Sequence, residues 1–166
     1  PEPDTAPEPD TTPEPDVVPE PTAVCGDGIC DPTEDCATCA EDCPACPPVA
    51  GALLITEIMQ NPKAVVDSEG EWIEIQNIGD EAVELSGVVL RDDAQDHHVI
   101  TPDTSLVIAA GAYAVLGKSD NLGVGIEADY VFVDFDLGNG ADSVMLEVDD
   151  VLIDAVIYDG GPAFPD

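Results

Sequence analysis

Polar and apolar positions alternate most clearly over residues 70–77, GEWIEIQN. With a side-chain period of two, Glu71, Ile73 and Ile75 face one side of a strand, and Trp72, Glu74 and Gln76 face the other. A second strand is expected over 53–59 (LLITEIM) and a third over 82–90 (AVELSGVVL). Shorter apolar runs follow at 97–100, 105–109, 113–116, 130–133, 143–148 and 151–158. Clusters of Gly, Asp, Asn and Pro separate them, as in an antiparallel sandwich. Asn61-Pro62 and Gly79-Asp80 mark turns, and Asp149-Asp150 suits a two-residue hairpin. Gly138-Asn139-Gly140 reads as a tight turn that requires a positive φ at one of its residues. No segment of useful length carries a helical period. The pattern predicts an all-β fold, a β-sandwich over 53–166. Its roughly 110 residues suffice to bury about two-thirds of their surface.

The first 52 residues lack this pattern. Residues 1–24 repeat the hexapeptide PEPDTA, PEPDTT, PEPDVV, PEPTAV. Proline at the first and third position of each repeat prevents helix and central-strand pairing, and the acids repel one another. A disordered, extended polyproline spacer is expected, reaching about 75 Å at roughly 3.1 Å per residue. A proline-rich recognition ligand is the alternative, but the basic anchor such ligands carry is missing. All six cysteines fall within 25–46: Cys25, Cys30, Cys36, Cys39, Cys43 and Cys46. This stretch has too few apolar groups for a core, so covalent or metal bonds must order it. Two Cys-x-x-Cys pairs admit zinc. Six acids and no Lys, Arg or His in the same stretch argue instead for three disulfides, and the sequence does not choose among the pairings. Asp27, Asp31, Glu34 and Asp35 form a candidate calcium-ligand set, the only cofactor the chain suggests; a solvated acidic loop is the alternative reading. Residues 47–52 are read as a hinge.

Charge narrows the function. The chain of 166 residues carries 37 acids against Lys63, Arg91 and Lys118, for a net charge of −34. Nucleic acid, which is bound through cations, is excluded as a partner. So is direct membrane insertion, since no apolar run has the length of a spanning helix. A protein or surface ligand remains. His97 and His98, adjacent on a strand, point to opposite faces and do not share a metal easily. No G-x-S-x-G elbow, P-loop, dinucleotide glycine pattern or H-E-x-x-H is present. Glu57 and Glu74 are expected as cross-sheet neighbours and read as structural acceptors. Asp67, Glu69 and Glu71 are a further possible cation loop.

Several separate motifs occur in one order: 53–59, the Asn61-Pro62 turn, GEWIEIQN, VELSG, AGAYAVL at 110–116, LGNGADSV at 137–144 and DAVIY at 154–158. Together they resemble the lamin tail domain, an immunoglobulin-like β-sandwich also found in secreted bacterial proteins. Val88 stands where that family often has Trp. The CGDGxC…EDC pattern resembles a cysteine-rich repeat of bacterial surface proteins. The resemblance implies an exported, non-catalytic adhesion or docking module. Bacterial lamin-tail-like domains also sit beside nucleases and phosphatases, which makes an accessory domain of an extracellular hydrolase the alternative. It further implies that one more strand should follow residue 166.

Overall fold

A computed structural model describes residues 24–30, 34, 36, 39, 41–43, 45–94, 96–123 and 125–159. The repeat at 1–23 and the tail at 160–166 lie outside the described residues. Ten strands and one helical turn follow in order: β1 (Leu53–Met59), α1 (Asp67–Gly70), β2 (Trp72–Asn77), β3 (Val83–Glu84), β4 (Val89–Arg91), β5 (His97–Val99), β6 (Val107–Ile108), β7 (Tyr113–Gly117), β8 (Tyr130–Val131), β9 (Asp142–Val148) and β10 (Val151–Tyr158). They form two four-stranded sheets, β1-β2-β7-β8 and β10-β9-β4-β5, with a small β3-β6 pair. All pairings are antiparallel except β7 with β8.

The core lies between the two sheets. Ile73 and Ile75 on β2, Leu90 on β4, Leu116 on β7 and Leu146 on β9 are wholly buried there. Phe132 and Phe135 meet edge to face, with centroids 5.7 Å apart, and fill the end beside β8. Val88, the departure from the resemblance, is fully buried and joins the same core.

Both lateral edges of the sandwich are fastened. On one side, β1 and β10 carry facing bulges, at Ile55/Glu57 and at Leu152/Asp154. The Ile55 N–H donates to Asp154 Oδ2 at 2.7 Å, so a carboxylate occupies an edge donor that would otherwise pair with another chain. On the other side, the Tyr130 hydroxyl on β8 meets His98 Nε2 on β5 at 2.8 Å and accepts from the Thr101 N–H at 3.1 Å. Asn77, at the end of β2, is buried and ties three segments together. Its Nδ2 donates to the Glu81 and Ile108 carbonyls, and its Oδ1 accepts from the Gly79 N–H.

Three local expectations need correction. The run 82–90 is two strands, not one: Gly87, at φ +85°, turns the chain after β3, so β3 pairs with β6 and β4 with β9. Neither Gly138, Asn139 nor Gly140 has a positive φ. That turn is held instead by the Asp142 carboxylate, which accepts the Gly138 N–H at 2.6 Å. The acidic loop after Asn61-Pro62 closes as a single helical turn, α1. The Asp149-Asp150 hairpin is as expected, with φ of +49° and +63°.

Residues 47–52 are tied into the sandwich rather than free of it. The Cys46 carbonyl accepts the Glu84 N–H at 2.8 Å, Gly51 N–H donates to Ile153, and the Ala52 carbonyl accepts from Ile78.

Candidate functional site

The cysteine module is built by covalent bonds: Cys25–Cys39, Cys30–Cys43 and Cys36–Cys46, with no free thiol. The zinc alternative is therefore set aside. The Cys25–Cys39 bridge brings Asp42 beneath the turn at 26–28. Asp42 Oδ2 accepts from the Gly26 N–H at 2.6 Å, and Oδ1 from Gly28 at 2.8 Å. Burial alone would raise the Asp42 pKa, but these backbone donors, with Asp27, hold it below the ordinary carboxylate value. Gly26 and Gly28 both have positive φ, which turns their N–H groups toward one carboxylate. Asp42, which follows the candidate calcium set closely in the sequence, is a structural acceptor.

Among the described residues, Cys25, Cys39 and Asp42 are the single group of metal-binding side chains whose ligand atoms converge. Its two sulfurs are already bonded to each other. Of the calcium-ligand set, Asp27 Oδ1 accepts from the Ile29 N–H at 2.9 Å and Glu34 is half-buried. Asp31 and Asp35 lie outside the described residues. Asp67, Glu69 and Glu71 do not converge. Asp67 takes a hydrogen bond from Asn139, and Glu71 turns inward.

Glu71 is the most perturbed acid of the sandwich. The alternation that puts Ile73 and Ile75 in the core puts Glu71 between the sheets as well, with 3 % of its surface exposed. Burial pushes its carboxyl up to about 7, against the Leu137 N–H and Lys118, which favour the charged form; Asp67 and Asp136 add to the rise. The Lys118 ammonium does not pair with Glu71. It donates to the Phe135 carbonyl at 2.7 Å and to Asp136 at 2.5 Å. Continuing the β1–β2 register by one residue past Met59 and Trp72 sets Gln60 opposite Glu71. Gln60 is buried, and its Nε2 has no hydrogen-bond partner. Tyr158 is buried nearby, and burial followed by the Asp142 charge raises its pKa. This end of the sandwich is polar and closed, not a cleft with a nucleophile and base aligned.

Glu57 and Glu74 are direct partners across β1 and β2, as expected. They face outward, and Glu74 accepts a hydrogen bond from the Thr56 hydroxyl at 2.7 Å. The two histidines diverge: His97 is exposed and His98 buried. Burial lowers the His98 pKa, with Asp134 and a bond to the Val133 backbone opposing it in part. Beside the His98–Tyr130 link lies an open cleft of about 350 Å³, lined by Thr101, Asp103, Thr104, Ser105, Asp129 and Tyr130 among others. Its hydroxyls and carboxylates suit a polar ligand. Among the described residues, no helix is long and apolar enough to cross a membrane.

Two packed, mainly antiparallel sheets, edge-fastened and preceded by a disulfide-rich module, define an immunoglobulin-like β-sandwich protein. The lamin tail domain family matches residues 47–160, and the chain belongs to that family. The match begins at the connector that fastens the cysteine module to β3 and ends just past β10. No curated protein matches the chain.

Proposed function

We propose that this chain is a non-catalytic adhesion or docking module of a bacterial surface or secreted protein, held outside the cell. The observation that carries this reading is the set of three disulfides fastened to the sandwich through Cys46. Disulfides form and persist in oxidising, extracytoplasmic compartments. A module of this size without a core depends on them. The strongly acidic composition keeps such a surface hydrated and selects partners by charge. The hydroxyl-lined cleft at Thr101–Tyr130 supplies a polar recognition surface.

The test uses the oxidised full chain, biotinylated, on arrays of extracellular-matrix proteins and cell-envelope polysaccharides, alongside assays with DNA, RNA and a phosphate monoester. Saturable binding to at least one array component, with hydrolysis at the buffer rate, is the expected result. No saturable binding, or hydrolysis above background, overturns the reading. A hydrolase domain encoded in the same reading frame, together with no binding of its own, assigns the chain as that enzyme's accessory domain.

A further inference from the structure

Trp72 is the one tryptophan of the chain. It lies on the outward face of β2, away from the core, yet only 4 % of it is exposed. What covers it is the loop from Asn61 to Gly70 on one side and Leu122 on the other. A Cβ on Gly70 would meet Val65 and Pro62 at 2.3 and 2.8 Å, so the missing side chain lets this loop close down on the strand. The cover is incomplete. A hollow of about 200 Å³ remains against the indole, lined by Met59, Pro62, Lys63, Ala64, Gly70 and Leu122.

Lys63 is unlike the other two cations. Arg91 is paired with Glu147 and Lys118 with Asp136, each at 2.5 Å. Among the described residues Lys63 has no carboxylate partner, in a chain with 37 acids. The result is an apolar hollow lined in part by the one Lys or Arg that has no carboxylate partner among the described residues.

We propose that this hollow binds a free short-chain monocarboxylate, with its hydrocarbon body against Trp72 and its carboxylate at Lys63. The size fits: an apolar cavity of about 150 Å³ holds a benzene ring, so this hollow takes a body of roughly six carbons. The walls other than Lys63 offer carbon and sulfur surface, which rewards a hydrocarbon. The net charge opposes any anion at long range. At physiological salt that repulsion is screened over about 8 Å, and the contact pair with Lys63 is left to discriminate. The site goes beyond adhesion and stands or falls separately from it.

Because Trp72 is alone, its fluorescence reports occupancy directly. Hexanoate titrated into the oxidised full chain should change the emission saturably, with a dissociation constant in the millimolar range. Hexanol should bind at least tenfold more weakly, and so should hexanoate to Lys63→Met, a substitution at an exposed position. Acetate, which lacks the body, and hexylammonium, which the net charge attracts, should leave the emission unchanged. Ala64→Leu should fill the hollow and abolish the response. An N-acetylated tetrapeptide ending in leucine should bind more weakly than hexanoate. No response to hexanoate up to about 50 mM overturns the proposal. So does hexanol binding as tightly as hexanoate, full affinity in Lys63→Met, or a tighter site for hexylammonium or for the peptide.

Discussion

Glu71 places a carboxyl where its charged form is costly, and the cost has a definite pH signature. Its folded pKa, about 7, lies above its ordinary 4.5. Between those values the folded state binds the extra proton, so stability falls as pH rises, and the full penalty is present above about 7. Glu71→Gln keeps an acceptor for the Leu137 N–H and removes the titration. Its melting temperature should match the parent near pH 4 and exceed it by pH 8. The gain should be roughly 1–2 kcal/mol, discounted from the whole shift because solvent near the sandwich end screens it. A difference that stays flat across that range would show that folding leaves the Glu71 pKa unshifted. His98 works in the other direction, since burial lowers its pKa and acid costs stability there. Half of this was legible in the sequence. The alternation of GEWIEIQN puts Glu71 on the same face as Ile73 and Ile75. What surrounds it there, Leu137, Lys118 and Asp136, arrives from connecting segments distant in the sequence and leaves no local trace.

The loop between β1 and β2 depends on Val65 seated between two glycines. A Cβ on Gly70 would lie 2.3 Å from Val65 Cγ2, and one on Gly123 would lie 2.4 Å from Val65 Cγ1. Gly70→Ala should therefore destabilise the protein by about 2–3 kcal/mol through overpacking. Shortening the opposing side chain should relieve it: Val65→Ala/Gly70→Ala should recover at least half of that loss. The coupling, read from urea unfolding followed by Trp72 emission, separates a steric clash from a generic loop effect. Simple additivity would mean that Val65 moves aside freely. The strands flanking this loop were legible because their period is regular and their turns carry Asn-Pro and Gly-Asp. The break inside 82–90 carried one local signal, the turn dipeptide Ser86-Gly87, but the crossing from β3 to the other sheet is decided by which partner, β6 or β9, each half finds. The turn at 138–140 misled for a related reason. Its glycines suggested positive φ, whereas Asp142 holds the turn by accepting the Gly138 N–H.

For the whole molecule the dominant quantities are a net charge of −34 and three disulfides. Self-repulsion at that charge disfavours the compact state, and salt screens it. The melting temperature should rise steadily as sodium chloride goes from about 0.02 to 0.5 M. A fall would mean that ion pairs such as Arg91–Glu147 and Lys118–Asp136 outweigh the repulsion. The disulfides act on one part of the chain. Residues 25–46 were legible as a unit that needs cross-links, because they contain almost no core-forming side chains. The sandwich has its own core and no cysteine beyond Cys46. Reduction should therefore unfold the module alone. Among the described residues, backbone links between the two are the Glu84 N–H to the Cys46 carbonyl and a bridge between Cys46 and Val83. After reduction with a phosphine, a Glu-specific protease should cut at Glu41 faster than it does in the oxidised chain. The β-sheet circular dichroism and the Trp72 emission should persist. The sandwich should melt only a few degrees lower, because Glu84 loses a fixed acceptor worth about 1 kcal/mol. If reduction instead abolished the sheet signal and exposed Trp72 in one cooperative step, the module would be part of the sandwich's folding unit, and the junction at Cys46 would couple the two far more strongly than a backbone hydrogen bond does.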